Sequence, residues 1–198
     1  MSTITFNLNG KNVEALSGES IFNTAKRLGI DIPHLCHSDG LRPDGNCRAC
    51  VVEVEGERTL APSCCRSPAN GMVVSTDSPR ARKSQAMVLE LLLADKPAQG
   101  HLWHDNAGLQ PHGELSDWAT RLQVRPRAAL QMSESDALQA TPANAKHSPV
   151  HHAEDLSHPA MAVDLNACIN CNRCVRACRE EQVNNVIGVE GRGAHTRI

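Results

Sequence analysis

Residues 35–64 read LCHSDGLRPDGNCRACVVEVEGERTLAPSC, and the fold of the amino-terminal part follows from them. They set Cys36, Cys47, Cys50 and Cys64 in the order C-x10-C-x2-C-x13-C, one tight pair with a distant cysteine on either side. Four thiolates hold either a tetrahedral zinc ion or a [2Fe-2S] cluster, so the count leaves both open. Zinc knuckles usually come as two short pairs. Here only one pair is tight, and the first cysteine lies on a loop of Ser38, Asp39, Gly40, Pro43, Asp44 and Gly45. A loop of that composition wraps a cluster and turns backbone N–H groups toward its sulfurs, which stabilises the more negative reduced state. The surroundings favour iron-sulfur over zinc, and both over ordinary buried cysteines.

Upstream of the loop, Ile4, Phe6 and Leu8 alternate with polar residues, Asn9-Gly10 marks a turn, and residues 13–16 return, which predicts a hairpin. Ser17 or Ser20 caps a helix with Ile21, Ala25 and Leu28 on one face; Gly29 ends it and Pro33 blocks any continuation. Downstream, residues 51–54 form a strand, Glu55-Gly56 a turn, residues 59–61 the partner and residues 71–75 a closing strand. Two hairpins, a crossing helix and a last strand predict an α+β arrangement, a β-grasp ferredoxin domain over residues 1–78.

Beyond it, residues 77–94 are helical, with Ser78 and Pro79 at the start, and read as a packing helix within a connector over residues 79–124. Ser116 or Asp117 caps a short helix through Leu122. Residues 125–157, polar and rich in Ala, Ser, Pro and His, read as a linker. His101, His104, His112, His147, His151, His152 and His158 have no fixed spacing and read as solvated, not liganding. Residues 158–198 regain order: a strand at 162–165, a loop opening into a helix at 168–182, and candidate strands at 186–189 and 194–198.

That last segment carries the second constellation. Cys168, Cys171, Cys174 and Cys178 stand as C-x2-C-x2-C-x3-C, a spacing at which three thiolates cap three corners of a [4Fe-4S] cube. In ferredoxins with two cubes, the fourth cysteine of such a run ligates the other cluster and precedes Pro. Arg179 follows here, and no second run appears before Ile198, so either the site is incomplete in this chain or Cys178 serves locally. Cys65 reads as a free thiol or a rescue ligand. Arg42, Arg48, Arg66, Arg173, Arg176 and Arg179 lie near cysteines, as a solvated face on one reading and as a docking rim or a modulator of cluster potential on the other.

Composition narrows the class. A net charge of −2 in 198 residues gives no basic field for nucleic acid or anionic lipid, and 2% aromatics with no Tyr leave few stacking platforms. The longest apolar run, residues 87–94, contains Glu90, so no membrane insertion is expected. The start, MSTITFNLNG, lacks the form of an export signal, and nine cysteines is an odd count, so metal ligation in the cytoplasm is expected over disulfides.

The runs CRACVVEVEGERTLAPSC, SPANGMVV, LELLLADKP and SHPAMAVDLNACINCNRCVRACREEQVNNVIGVEGRGAH together resemble a known family. It is the amino-terminal iron-sulfur region of the alpha subunit of NAD-dependent molybdenum formate dehydrogenases. The chain is similar, more distantly, to the large iron-sulfur subunit of complex I and the small diaphorase subunit of NAD-reducing hydrogenases. The resemblance covers residues 1–95 and 158–198. It implies Cys36, Cys47, Cys50 and Cys64 as [2Fe-2S] ligands, Cys168, Cys171 and Cys174 as ligands of one [4Fe-4S] cluster, and Cys178 as a ligand of a neighbouring one. It further implies an electron-transfer module between a molybdenum-site catalytic portion or subunit and a flavin/NAD-binding subunit, with no catalytic residue of its own. Relatives often carry a His and three Cys after LLLADKP. Lys96 and Gly100 stand where the His and the first Cys would be, and residues 67–167 hold no cysteine, so that further cluster is not expected. The family also continues into another cluster domain and a molybdopterin portion, which makes this chain a fragment, a truncated product or a separate subunit. The corresponding hydrogenase subunit is the second expectation, and a zinc-stabilised interaction module is one of another class.

Overall fold

The amino-terminal hairpin forms as its pattern predicts. In the computed structural model, which describes residues 3–95, 113–125, 155–159, 161–192 and 196–198, β1 (Ile4–Leu8) pairs antiparallel with β2 (Lys11–Ala15). Asn9 and Gly10 both take left-handed backbone, φ 53° and 82°, as a two-residue turn matching the twist of its strands requires. Phe6, Leu8 and Ala15 point inward. Helix α1 (Ile21–Arg27) follows, capped by Ser20, whose Oγ accepts from the Asn23 N–H at 3.1 Å. Gly29, at φ 73°, ends it.

After the cysteine loop, β3 (Val51–Val54) pairs with β4 (Ala61–Pro62), Val51 opposite Pro62 and Val52 opposite Ala61. The partner strand thus lies later than residues 59–61. Thr59 and Leu60 belong to a longer turn, and Pro62, which has no N–H to donate, is tolerated because β4 is an edge. The closing strand is short, β5 (Val73–Ser75), and it is central. It runs parallel to β1 and antiparallel to β3, in a sheet of order β2-β1-β5-β3-β4. One face of this sheet and α1 enclose a core of Phe6, Leu8, Ile21, Phe22, Ala25, Ile32, Val52, Val54 and Val74, which also takes in Cys50 and Cys64. Helix α2 (Pro79–Ala94) begins where Ser78 Oγ accepts from the Ala81 N–H at 3.1 Å. Its Gln85, fully buried, donates through Nε2 to the carbonyls of Val51 at 2.9 Å and Thr76 at 3.1 Å.

The chain divides into two compact units, Met1–Val88 and Leu89–Ile198. In the second, α3 (Glu114–Arg121) starts before the expected cap. Gly113 holds the N-cap place, and no side chain caps the helix. The hairpin of β6 (Asp155–His158) and β7 (Met161–Val163) takes up the last residues of the expected linker. A 3-10 turn, Leu165–Ala167, is set by Asp164 Oδ1 accepting from the Asn166 N–H at 2.8 Å. Helix α4 (Arg173–Arg176) runs directly into a π-helical turn, Ala177–Glu181, closed by the Gln182 N–H on the Ala177 carbonyl at 2.9 Å. Residues 186–189 are not a strand. Val186, 81% exposed, has no sheet to cover, and the only pairing among the described residues there is the bridge of Glu190 with Arg197. Residues 126–154 of the expected linker, and the histidines from His101 to His152, lie outside the described residues.

Candidate metal centres

The β3–β4 hairpin places the first site. Cys50 immediately precedes β3 and Cys64 follows β4 closely, so strand pairing brings them together, with Sγ atoms 3.3 Å apart. Ser63 closes the end of the hairpin: its N–H donates to the Cys50 carbonyl at 3.1 Å and its Oγ to the same carbonyl at 2.7 Å. The start of α1 is tied to this turn, since its first N–H groups, which have no partner within the helix, donate to carbonyls there. Ile21 donates to Arg66 at 2.9 Å and Phe22 to Ser63 at 3.0 Å.

The loop supplies the second pair. The Cys36 N–H donates to Cys47 Sγ at 3.5 Å and the Cys47 N–H to Cys36 Sγ at 3.4 Å. Gly45 at φ 64° and Arg48 at φ 58°, both left-handed, turn the chain tightly enough for this. Cys47 is drawn down to about 5, first by the Cys36 thiol and then by the N–H groups of Ala49, Cys36 and Leu35, while Cys36 is pushed up by sharing its proton with Cys47 and by burial. The same division holds next door: Cys50 falls to about 7 through the hydrogen bond from Cys64, whose own thiol is pushed up. Each pair thus holds one sulfur stabilised as thiolate.

Among the described residues no three Cys, His, Asp or Glu side chains converge as ligands of a single ion do. The four cysteines come as two pairs, each with backbone N–H groups aimed at a sulfur. Such a set would suit a [2Fe-2S] cluster held by Cys36, Cys47, Cys50 and Cys64 better than a tetrahedral zinc. The residues present fit the group. Of these parts, the sequence showed the cysteines and a loop that turns N–H groups toward sulfur, but neither which N–H meets which sulfur nor the Ser63 and α1 contacts. The Ser63 hydroxyl sits beside Cys64 and was findable by adjacency, whereas the N–H of Leu35 has no side-chain signature. Cys65 is exposed, its Sγ 3.6 Å from Cys64 Sγ.

Around the second motif, Asn170 and Asn172 are left-handed, φ 55° and 58°, and coil the loop. Cys168 and Cys174 each lie close enough to Cys171 to oppose its ionisation. Burial, more than this repulsion, pushes the Cys171 thiol up. Cys178 is buried in the π turn. Arg173 Nε donates to Cys171 Sγ at 3.3 Å.

Residues 1–79 match the family described as the 2Fe-2S iron-sulfur cluster binding domain. Relatives extend beyond the [2Fe-2S] domain. The NADP-reducing hydrogenase subunit HndD of Solidesulfovibrio fructosivorans is 34% identical over 98% of this chain and 30% of its own length. An NADH-quinone oxidoreductase subunit of Rhizobium meliloti is 30% identical over 98% of this chain and 21% of its own. The mitochondrial NADH-ubiquinone oxidoreductase 78 kDa subunit of Candida albicans is 31% identical over all of this chain and 25% of its own. The chain therefore spans less than a third of the length of these relatives. In fold, 99% of it superposes on 74% of a chain from a crystal structure of NAD+-reducing [NiFe]-hydrogenase in the H2-reduced state, at a TM-score of 0.72 and 24% identity. No helix among the described residues is long and apolar enough to cross a membrane.

Proposed function

We propose that this chain is the iron-sulfur relay of an NAD(P)-linked oxidoreductase, passing single electrons between a catalytic metal site elsewhere and a flavin/NAD-binding subunit. The observation that carries it is the paired thiolate set of the [2Fe-2S] domain, together with relatives that are named as subunits of NADP-reducing hydrogenase and NADH-quinone oxidoreductase. Cys36, Cys47, Cys50 and Cys64 hold the [2Fe-2S] cluster, and Cys168, Cys171 and Cys174 hold a [4Fe-4S] cube. Cys178 completes the cube or serves a neighbouring cluster. The chain contributes ligand geometry, burial and N–H donors that fix each potential, and no acid or base acts on a substrate. The working location is the cytoplasm.

The resemblance of the cysteine runs points to a molybdenum formate dehydrogenase as the parent complex. A second reading, a hydrogen-oxidising complex, is favoured by the identity to the hydrogenase subunit. Iron and acid-labile sulfide per chain after anaerobic purification, with EPR of the dithionite-reduced protein, test the relay: about six irons and two reduced signals are expected. Zinc without iron would end the reading. Molybdenum or tungsten in the co-purified complex selects the formate reading, and nickel selects the hydrogenase one.

A further inference from the structure

Of the arginines near the cysteines, Arg173 reaches a cysteine sulfur with its guanidinium. Arg66 instead pairs with Glu57 and Arg179 with Glu180, both at the surface. Arg173 divides its guanidinium between two partners. Nε donates to Cys171 Sγ at 3.3 Å, Nη1 donates to Glu114 Oε1 at 3.1 Å, and Nη2 donates to Glu114 Oε2. Glu114 is the first residue of α3, 59 positions earlier in the chain. A planar fork gripped on two nitrogens leaves the third with one direction to point, and here that direction is a sulfur of the second cysteine motif.

We infer that Arg173 sets the potential of the cluster held by Cys168, Cys171 and Cys174, and that Glu114 is the positioning residue that aims it. The inference rests on the [4Fe-4S] reading above. When a one-electron donor reduces such a cluster, no bond forms or breaks and no proton moves. The added negative charge spreads onto the ligand sulfurs. A guanidinium, which stays protonated at any working pH, then donates to a more negative acceptor, so the reduced state gains more than the oxidised one. Holding the fork in place beforehand means the donor need not be ordered at the moment the electron arrives. Glu114 is half exposed, so its own charge is screened and reaches the sulfur mainly through Arg173.

The test is a dye-mediated redox titration of the full chain, purified anaerobically, following the EPR signal of the reduced cube. Arg173→Gln is expected to keep iron and sulfide per chain while the reduced-to-oxidised ratio at the unsubstituted midpoint falls about tenfold, a shift of about 59 mV for one electron. Arg173→Lys, which keeps the charge without the fork, falls between the two. Glu114→Gln shifts the midpoint when Arg173 is present and leaves it unmoved in the Arg173→Gln background. An unchanged midpoint in Arg173→Gln at full iron overturns the inference and leaves the cube standing. Loss of the cube from both Arg173 variants also overturns it, since Arg173 would then only shape the loop. About two irons per chain in the unsubstituted protein removes the cube itself, a result distinguishable from either.

Discussion

Glu19 draws donors from three directions. Its oxygens accept from the Leu16 N–H at 2.9 Å, the Thr24 hydroxyl at 3.1 Å, and Arg27 Nε and Nη2 at 2.9 and 2.8 Å. The Arg27 hydrogen bond, most of all, holds its pKa at about 2, against 4.5 for a free glutamate. A carboxylate depressed in the folded state contributes stability above the unfolded value and loses it as pH falls through the folded one. Glu19→Gln should therefore lower the melting temperature by a few degrees at pH 7, and the gap to the parent protein should close between about pH 4.5 and 2. Parallel melts of the two proteins across that range check it, since acid release of the cluster is common to both. Gly45 limits the site in another way. At φ 64°, a Cβ there would lie 3.0 Å from Cys65 Sγ, so Gly45→Ala meets both backbone strain and a clash. It should destabilise the loop by about 1–2 kcal/mol and speed bleaching by an iron chelator. Adding Cys65→Ala should recover only part of the loss, because the clash goes and the φ strain stays.

Between elements, the brace that matters is Gln85. From α2 it donates to carbonyls of two neighbouring stretches, Thr76 just after the central β5 and Val51 in β3, the residue after Cys50. Gln85→Leu keeps the volume and removes both donors, and should cost about 2 kcal/mol, read as a lower denaturation midpoint with unchanged slope. Nothing in the sequence distinguished this glutamine from a surface one. What was legible there was local. The Asn9-Gly10 turn, the Ser20 cap and the Gly29 stop each act within a few residues, and each formed where expected. What was not legible was pairing over distance. Residues 73–75 give no sign that they lie between β1 and β3, because a parallel partner as distant in the chain as Asn7 is from Val73 is chosen by the packing of the whole sheet. The site divides the same way. Cysteine spacing revealed the ligand candidates and the loop composition the N–H groups turned toward sulfur, while which N–H meets which sulfur and the reach of Glu114 to Arg173 exist only once the chain is folded.

At the scale of the molecule, the question is how much of the chain the first site needs. The buried residues of the hydrophobic core around Cys50 and Cys64 lie between Phe6 and Val74, all four cysteines of the site fall within that span, and α2 with its Gln85 brace ends at Ala94. Stopping after Asp95 keeps that helix whole, whereas stopping at the match boundary, residue 79, would cut Gln85 away. A fragment of residues 1–95 should fold, bind about two irons with an EPR signal matching that component of the full chain, and melt within a few degrees of it. Residues 1–79 should bind the same iron but release it faster and melt lower, by roughly the amount that Gln85→Leu costs. If the longer fragment fails to hold iron, the residues beyond 95 supply something the first site requires. If both fragments match the full chain, α2 has no part in holding the site, and the Gln85 prediction fails with it.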